Sequence, residues 1–506
     1  MPVVAIVRAA AVALALLPAP AAAQVVPQGG PEAERIREVL RGIRLPEGFR
    51  IALHALVPGA RHMAVAPAPA GGGVVIFVGT RTDRLWAVLD RDGDGRAEEV
   101  RAFAPGLHFE MPNGPCFAPD GTLFVPELNR VRAFPGAAAR LGEEAPAAVE
   151  LVPPGGLVPA EEALPNHGAR VCRVGPDGKL YVSLGQPHDV PPAEKVALYE
   201  RLGIGGVVRM DRDGRNREVF ARGIRNSVGL AFRPGTGELW FTDTDSNGLG
   251  DDLPPGEINR ADAPGRHFGF PWYGGGRVRT EEFRNSVPPA DAVFPVVETA
   301  AHATDLGLAF HEGAMFPPEY RGALFSAQRG SAVRGTPVGA RVMVTFLAAA
   351  GSAPGHRPFA GGWVDAEAGR CRGRPVDVAA PPDGSLLVSD DDEAGALQRT
   401  TYNGAAERAR AGAPLRARGR ACRHDGGPSP RRPGDLRSPG RVGTLDRGTA
   451  LGSGTGRLGG AGRAPGLALP PGGRRRRGLG PRVGRLGRAG GVVRDGMKAR
   501  AKKGRG

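Results

Sequence analysis

A hairpin pattern that occurs six times is the strongest constraint on the fold of this 506-residue chain. Each copy consists of an apolar strand, a turn that contains glycine and a second apolar strand. The third copy, CRVGPDGKLYVSLG, shows the pattern most clearly, because Gly178 can take the positive φ that its Pro-Asp-Gly turn needs. The copies begin 51 to 76 residues apart, and they cover residues 63–80, 114–127, 172–185, 230–245, 306–328 and 378–391.

This repeat predicts an all-β protein, because one hairpin cannot bury both of its faces and neighbouring units must stack to form a core. Repeats of several strands at this period are typical of radial propellers, so six copies predict a six-bladed β-propeller over residues 45–403. A stacked sandwich is the competing all-β fold. The longer intervals before the fifth and sixth hairpins leave room for loops on one face, where a site would lie.

The N-terminal residues are predicted to lie outside the propeller. Residues 1–23 have the pattern of a secretory signal peptide, with Arg8, an apolar core at 9–17 and small residues at 21–23. An uncleaved anchor is the alternative, although this apolar run is too short to span a bilayer. Residues 24–44 contain PEAERIREVLRGI, whose apolar positions predict a short amphipathic helix. We therefore predict a periplasmic or secreted protein without a stable membrane span.

The net charge of +15 comes from the C-terminal residues. Residues 404–506 contain 26 Lys and Arg against 5 Asp and Glu, whereas the rest of the chain contains 41 and 47. Gly, Arg, Ala and Pro dominate this segment, which predicts a disordered basic tail. It has no recognised nucleic-acid motif and no aromatic residues for base stacking, so no nucleic-acid partner is predicted.

The chain has four cysteines, namely Cys116, Cys172, Cys371 and Cys422. An exported protein could form disulfides. However, Cys116 and Cys172 occupy matching places in successive repeats, which need not bring them within bonding distance. We interpret the thiols as buried and structural, and the lack of a Cys-x-x-Cys-His motif predicts no covalent c-type haem.

Polar residues just outside the repeated strands are the first candidates for chemistry. His167 precedes the third hairpin, where a neutral imidazole could act as a general base, although a lone histidine is more often structural. Arg225 and Asn226 precede the fourth hairpin. Their N–H groups could stabilise negative charge developing on an oxygen, or the pair could simply form a capped turn.

Three arginines occupy comparable places beside the later hairpins. Arg329 and Arg334 follow the fifth hairpin, and Arg374 precedes the sixth. This common placement indicates an anion-binding channel, and scattered surface arginines are the alternative interpretation.

Two acidic loops are candidate metal sites. The segment TDTDSNGLGDDLPPGEIN at residues 242–259 places oxygen donors on a glycine-rich loop, which suits Ca²⁺, although its spacing does not match an EF-hand. Its candidate donors are Asp243, Asp245, Asn247, Asp251, Asp252 and Glu257. The second loop, residues 90–95, opens like a calcium loop, but Arg101 stands where such a loop has Glu, which favours an acidic hairpin turn.

From about Leu45 to Tyr402 the chain resembles the pyrroloquinoline quinone (PQQ)-dependent glucose/sorbosone dehydrogenases, which are soluble six-bladed quinoproteins. The resemblance rests on segments in the family's order: LPEGFRIALHA, LPNHGARVCRVGPDGKLYVSLG, RGIRNSVGLAF, GDDLPPGEIN followed by HFGFPWYGG, and GRPVDVAAPPDGSLLVSDD. It implies an enzyme that oxidises an aldose or sorbosone-like sugar with PQQ and Ca²⁺. It also implies an external electron acceptor such as a quinone or a cytochrome.

The resemblance further implies roles for individual residues. His167 falls on the catalytic base, which takes a hydroxyl proton while a hydride passes to the quinone. Arg225 and Asn226 fall on the pair that contacts the quinone oxygens. Gly250 and Asp251 fall where family members bind Ca²⁺ through main-chain carbonyls.

The residues implied in cofactor binding are Gln186, Arg329, Arg334, Arg374 and Asp390. Arg374 falls on an arginine that binds a cofactor carboxylate, and Asp390 lies near a further contact. The chain departs from the family where Val376 replaces a second arginine and Gln186 replaces the Asp of the glucose-oxidising branch. Residues 329–334 read RGSAVR, where His-Gly-Ser-Trp-Asn-Arg is common. These departures predict a weaker hold on PQQ and impaired activity.

Two other functions remain open. A calcium-dependent sugar lactonase on a similar propeller would need side-chain carboxylates on a central metal. A propeller that binds a glycan or a protein without catalysis would tolerate the loss of His167.

Overall fold

The computed structural model describes residues 24–67, 73–331, 333–365, 368–392 and 394–404. The predicted signal peptide, Cys422 and the predicted tail beyond residue 404 lie outside this part of the chain. The α-helices within it are α1 (Pro31–Arg41) and α2 (Ala193–Leu202), and short 3₁₀ turns cover Ala137–Ala139, Ala160–Glu162 and Pro318–Tyr320.

The rest of the regular structure is β-sheet, as the repeat predicts. In chain order the strands are β1 (Phe49–Leu56), β2 (Met63–Val65), β3 (Val74–Val78), β4 (Trp86–Asp90), β5 (Glu99–Ala102), β6 (Cys116–Phe117), β7 (Leu123–Pro126), β8 (Val131–Phe134), β9 (Val149–Val152), β10 (Cys172–Val174), β11 (Leu180–Leu184), β12 (Gly206–Met210), β13 (Glu218–Arg222), β14 (Leu230–Phe232), β15 (Leu239–Asp243), β16 (Gly256–Ala261), β17 (Arg266–His267), β18 (Tyr273–Gly275), β19 (Val278–Arg279), β20 (Val297–Thr299), β21 (Asp305–His311), β22 (Ala323–Gln328), β23 (Arg341–Phe346), β24 (Gly355–Gly361), β25 (Val364–Asp365), β26 (Arg370–Cys371), β27 (Pro375–Ala379), β28 (Leu386–Asp390) and β29 (Ala396–Tyr402).

These strands form a six-bladed β-propeller, which confirms the predicted fold. The blades are β2–β5, β6–β9, β10–β13 with β17 at the outer edge, β14–β16 with β20, β21–β24, and β27–β29 with β1. The inner strands β2, β6, β10, β14, β21 and β27 contact one another in turn around the whole ring. The hairpins predicted from the sequence are the two innermost strands of each blade, as in the third, where Gly178 has φ 74°.

The ring closes through the first strand of the chain. Strand β1 pairs antiparallel with β29, from Phe49 opposite Tyr402 to Leu56 opposite Ala396, and completes the sixth blade. Helix α1 packs beside β1 with Ile36 and Leu40 buried, as its apolar spacing predicts. Among the described residues no helix is long and apolar enough to cross a membrane.

The structure corrects the interpretation of the cysteines. Cys116 and Cys172 form a disulfide, with Cα atoms 5.6 Å apart. They lie on the inner strands of adjacent blades, where Gly114 and Val171 also form a parallel bridge. Matching positions are therefore close neighbours, because the blades converge at the axis. Cys371 is a free, half-buried thiol, so only part of the prediction of buried thiols holds.

Candidate active site

Loops that flank the inner strands enclose a cavity of about 240 Å³. The predicted site residues His167, Arg225, Asn226 and Arg329 all line it. These residues come from the third, fourth and fifth blades, so the ring brings together residues that the sequence places far apart.

His167 stands just before β10 in a left-handed backbone conformation, with φ 53°. Its Nδ1 lies 2.7 Å from the main-chain oxygen of Gln186. Since a carbonyl can only accept, Nδ1 carries the proton and Nε2 keeps its lone pair. Burial, and then the positive charge of Arg225, lowers the pKa of His167 to about 4. The imidazole is therefore a neutral base at neutral pH.

A buried arginine that the sequence analysis missed supports this loop. The Arg170 guanidinium donates to the main-chain oxygens of His167 at 3.1 Å, Gly185 at 2.9 Å and Leu128 at 3.2 Å. Arg170 lies two residues before the third hairpin, so the rule that selected His167 could also have found it.

The turn at Arg225 and Asn226 is held from behind by one carboxylate. Asp243 accepts the main-chain N–H of Arg225 at 2.9 Å and that of Asn226 at 2.7 Å. The Arg225 side chain donates to Asp189 at 2.5 Å and to the Thr244 hydroxyl at 3.0 Å. The side-chain oxygen of Asn226 is buried and has no hydrogen-bond partner in the described part of the chain. His167, Arg225 and Asn226 are called the base wall below.

Buried acids lie behind this wall. Burial raises the pKa of Asp243 to about 6. Burial, and then the negative charge of Asp243, raises the pKa of Glu257 to about 8. Glu257 accepts the main-chain N–H of Gly276 and the side-chain amide of Asn259, each at 2.7 Å. These acids belong to the loop predicted to bind a cation, but they are used to hold the turn and its neighbouring strands.

Gly250 and Asp251, the calcium ligands implied by the resemblance, do not line the cavity, whereas the candidate donors Asp245 and Asn247 do. The carbonyl oxygen of Gly250 accepts a hydrogen bond from Nε2 of His302 at 2.9 Å, and Nδ1 of His302 lies 2.6 Å from Asp245. The carbonyl oxygen of Asp251 accepts a hydrogen bond from the Arg334 guanidinium. His302, which lines the cavity, was missed because it follows no hairpin motif.

The remaining predicted cofactor residues, Gln186, Arg334, Arg374 and Asp390, do not line the cavity. Gln186 supports His167 through its main chain, and its side-chain amide donates to His188 O at 2.6 Å. Asp390 accepts the main-chain N–H of Arg374 at 2.7 Å and the side-chain amide of Gln398 at 3.0 Å. The structure therefore brings neither Asp390 nor Arg374 to His167.

Two arginines of the first blade line the cavity instead. Arg61 donates to Asp391 at 2.7 Å, and Arg329 donates to both oxygens of the same carboxylate at 3.0 and 2.9 Å. Arg81 is exposed and has no hydrogen-bond or ion-pair partner among the described residues. Arg61 precedes the first hairpin and Arg81 follows it, so the rule that selected Arg329 could have found both. Arg61, Arg81 and Arg329 are called the arginine pole.

The second acidic loop forms the hairpin turn between β4 and β5. Asp90 accepts the main-chain N–H of Gly93 at 2.9 Å and that of Gly95 at 3.1 Å. Oxygens of Asp90, Asp92 and Glu98 lie within 4.8 Å of one another. The hydrogen bonds within the loop agree with the interpretation as an acidic turn.

The architecture defines a six-bladed propeller with a basic cavity at one end of its central axis. Residues 157–399 match the sequence model of the glucose/sorbosone dehydrogenase family. Over these residues the chain is similar to that family, which confirms the resemblance predicted from the motifs. An uncharacterised protein of Borreliella burgdorferi is 34% identical over 229 residues, which cover 44% of this chain and 58% of that protein.

Solved structures share the fold at low sequence identity. The calcium structure of a Trichoderma reesei carbohydrate-active enzyme of family AA12 has a TM-score of 0.58 and 15% identity, over 71% of this chain and 97% of that chain. The holo form of the pyranose dehydrogenase PQQ domain of Coprinopsis cinerea has a TM-score of 0.54 and 17% identity, over the same shares of the two chains. These likenesses establish the propeller architecture.

Proposed function

We propose that this protein oxidises an aldose or a sorbosone-like sugar with PQQ and passes the electrons to an external acceptor, a quinone or a cytochrome. The observation that carries the proposal is the neutral imidazole of His167, whose Nε2 is unprotonated beside Arg225 and Asn226 in the cavity wall. The match of residues 157–399 to a sugar dehydrogenase family supports the same reaction class.

The donors of the cavity fit PQQ, a planar quinone that carries three carboxylate groups. Arg61, Arg81, Arg225 and Arg329 line the cavity, and arginine binds carboxylates through paired N–H donors. The buried, unpartnered oxygen of Asn226 shows that the base wall has hydrogen-bonding capacity left for a ligand. When bound, PQQ supplies the two-electron acceptor for the hydrogen on the sugar carbon.

The chain's own residues orient the substrate hydroxyl and move its proton. Nε2 of His167 accepts the hydroxyl proton, and the hydrogen bond from Nδ1 to Gln186 fixes the ring for this transfer. Burial keeps the ring neutral, and the positive charge of Arg225, which its ion pair with Asp189 holds beside the imidazole, adds to this effect. Arg225 would also stabilise negative charge on oxygen as the proton leaves.

Calcium at Gly250 and Asp251 is implied by the resemblance but does not fit these carbonyls as arranged. Both oxygens accept hydrogen bonds, one from His302 and one from the cationic Arg334. A requirement for calcium stays a prediction, which is tested by measuring PQQ affinity with calcium and with a chelator. An increase of about tenfold with calcium would show that the loop rearranges, and equal affinities would contradict the prediction.

The cavity favours a dehydrogenase over the two alternatives. A lactonase would need several carboxylates around a central metal, whereas the acid that lines this cavity, Asp245, is bonded to His302. A binding propeller does not require an imidazole held in one tautomer. We also propose an exported protein, because the disulfide between Cys116 and Cys172 suits an oxidising compartment.

Reconstitution tests the proposed function. Purified protein with PQQ and calcium is assayed for dye reduction on a panel of aldoses and related sugars, and the absorbance change of PQQ is followed separately. We expect turnover on at least one sugar. No turnover together with no spectral change of PQQ would overturn the proposal.

A further inference from the structure

We propose that the arginine pole, Arg61, Arg81 and Arg329, binds the carboxylates of the quinone in this protein. In the family pattern, arginines at the positions of Arg374 and Val376 bind these carboxylates, and the arginine pole would replace them in this chain. The assignment rests on the proposed function, since it presumes that PQQ occupies the His167 cavity.

The pole has donors that the protein does not use. Nε of Arg61 donates to Asn113 at 3.0 Å, and one of its terminal nitrogens donates to Asp391. Arg329 contacts Asp391 through Nε, and its two terminal nitrogens have no hydrogen-bond partner in the described part of the chain. These terminal nitrogens can therefore form the paired N–H contacts that a ligand carboxylate accepts.

The pole also carries positive charge in excess. Of its three guanidinium groups, those of Arg61 and Arg329 share the single carboxylate of Asp391. The side chains of Arg61 and Asp391 are only 6% and 9% exposed. Burial lowers the pKa of Arg61, and repulsion from Arg329 and Arg81 adds to this effect, while Asp391 opposes it. An anionic ligand would relieve this repulsion, and a low-dielectric wall strengthens its attraction.

The sixth blade cannot supply the same contacts. Val376 is fully buried and packs in the hydrophobic core with Ile224 and Leu306. Arg374 does not line the cavity, and one of its terminal nitrogens is buried without a partner among the described residues. Blade six contributes Asp391 instead, which holds two arginines of the pole in place.

Arg81 gives the clearest test, because it is exposed and its removal breaks no hydrogen bond or ion pair among the described residues. The matched control is Arg84, which lies on the same loop, pairs with Asp83 at 3.6 Å and does not line the cavity. The full chain is compared as wild type, Arg81→Gln and Arg84→Gln. Calorimetric titration measures the affinity for PQQ and for its trimethyl ester, which lacks the carboxylate charges.

We expect Arg81→Gln to weaken PQQ binding about tenfold, because a hydrogen bond between charged groups is lost. Arg84→Gln should change it by less than about twofold. The ester should bind both variants within about twofold of wild type, since it offers no carboxylate to Arg81.

Three other results would overturn the role of the arginine pole. Equal PQQ affinity of wild type and Arg81→Gln would overturn this assignment and leave the proposed function intact. No PQQ binding by wild type would overturn both. If Arg81→Gln leaves PQQ affinity unchanged but abolishes the binding of glucuronate in a parallel titration, the pole binds an acidic sugar and its role toward the cofactor is overturned.

Discussion

The base wall and the arginine pole differ in how far their charged groups are neutralised by partners. In the base wall Arg225 is paired with Asp189, and His167 is held neutral by burial and by that guanidinium. In the arginine pole Arg81 has no partner in the described part of the chain, and Arg61 and Arg329 share one carboxylate. A group that transfers a proton needs a fixed orientation and tautomer, whereas a surface that binds an anion must keep charge unneutralised.

The largest expected effect separates proton transfer from binding. We expect His167→Ala to lower kcat about a thousandfold, since positioned general bases contribute that order of rate, and to change PQQ affinity less than about threefold. Steady-state assays and PQQ titration measure the two effects. The control is His108→Ala at an exposed histidine outside the cavity. A parallel loss of PQQ affinity would show that His167 itself also binds the cofactor.

The pH dependence tests whether the base wall keeps its imidazole neutral. Because the pKa of His167 is lowered to about 4, Nε2 loses its lone pair only as pH falls through that value. We expect kcat/KM at pH 5 to stay close to its value at pH 7, whereas an ordinary histidine would lose about thirtyfold. In Arg225→Gln the acid limb of the pH profile of kcat/KM should move to higher pH. An acid limb near pH 6.5 in wild type would contradict the interpretation.

A smaller effect is expected from crowding the base wall alone. A Cβ at Gly185 would meet the side-chain oxygen of Asn226 and lie 2.5 Å from the main-chain oxygen of His167. Gly185→Ala should lower kcat/KM about tenfold and cost about 1–3 kcal/mol of stability. Gly142→Ala is the control, since its Cβ meets nothing within 4 Å. An unchanged rate would show that this wall tolerates displacement.

The smallest effect concerns the acids behind the base wall. The pKa of Glu257 is raised to about 8 in the folded protein, from an ordinary value of 4.5. Its contribution to stability is therefore fully present below pH 4.5 and is lost as pH rises through about 8. We expect Tm to fall by a few degrees between pH 5 and 9, which corresponds to a loss of about 1 kcal/mol in the free energy of unfolding. Glu257→Gln should flatten this slope in thermal denaturation, and Glu282→Gln should not.

The parts of the site that lie beside a hairpin were predictable. His167, Arg225 and Asn226 each stand directly before a repeated strand, and a propeller places such positions around its axis. Gly250 and Asp251 were assigned from their motif alone, and the structure turns both carbonyls toward His302 and Arg334. A motif identifies candidate metal-ligand atoms, but residues elsewhere in the fold decide whether those atoms already accept hydrogen bonds.

The amino-acid sequence by itself determined the blade, because apolar strands and glycine turns are local and repeat six times. It also indicated the base wall, whose residues stand a few positions before the third and fourth repeats. Only the tertiary structure decided the arginine pole and the disulfide between Cys116 and Cys172. Closure of the ring by β1 and β29 sets Arg61 against Asp391 across a separation of 330 residues, and convergence at the axis brings the cysteines together. No local sequence pattern shows which charged residues become neighbours when the ring closes.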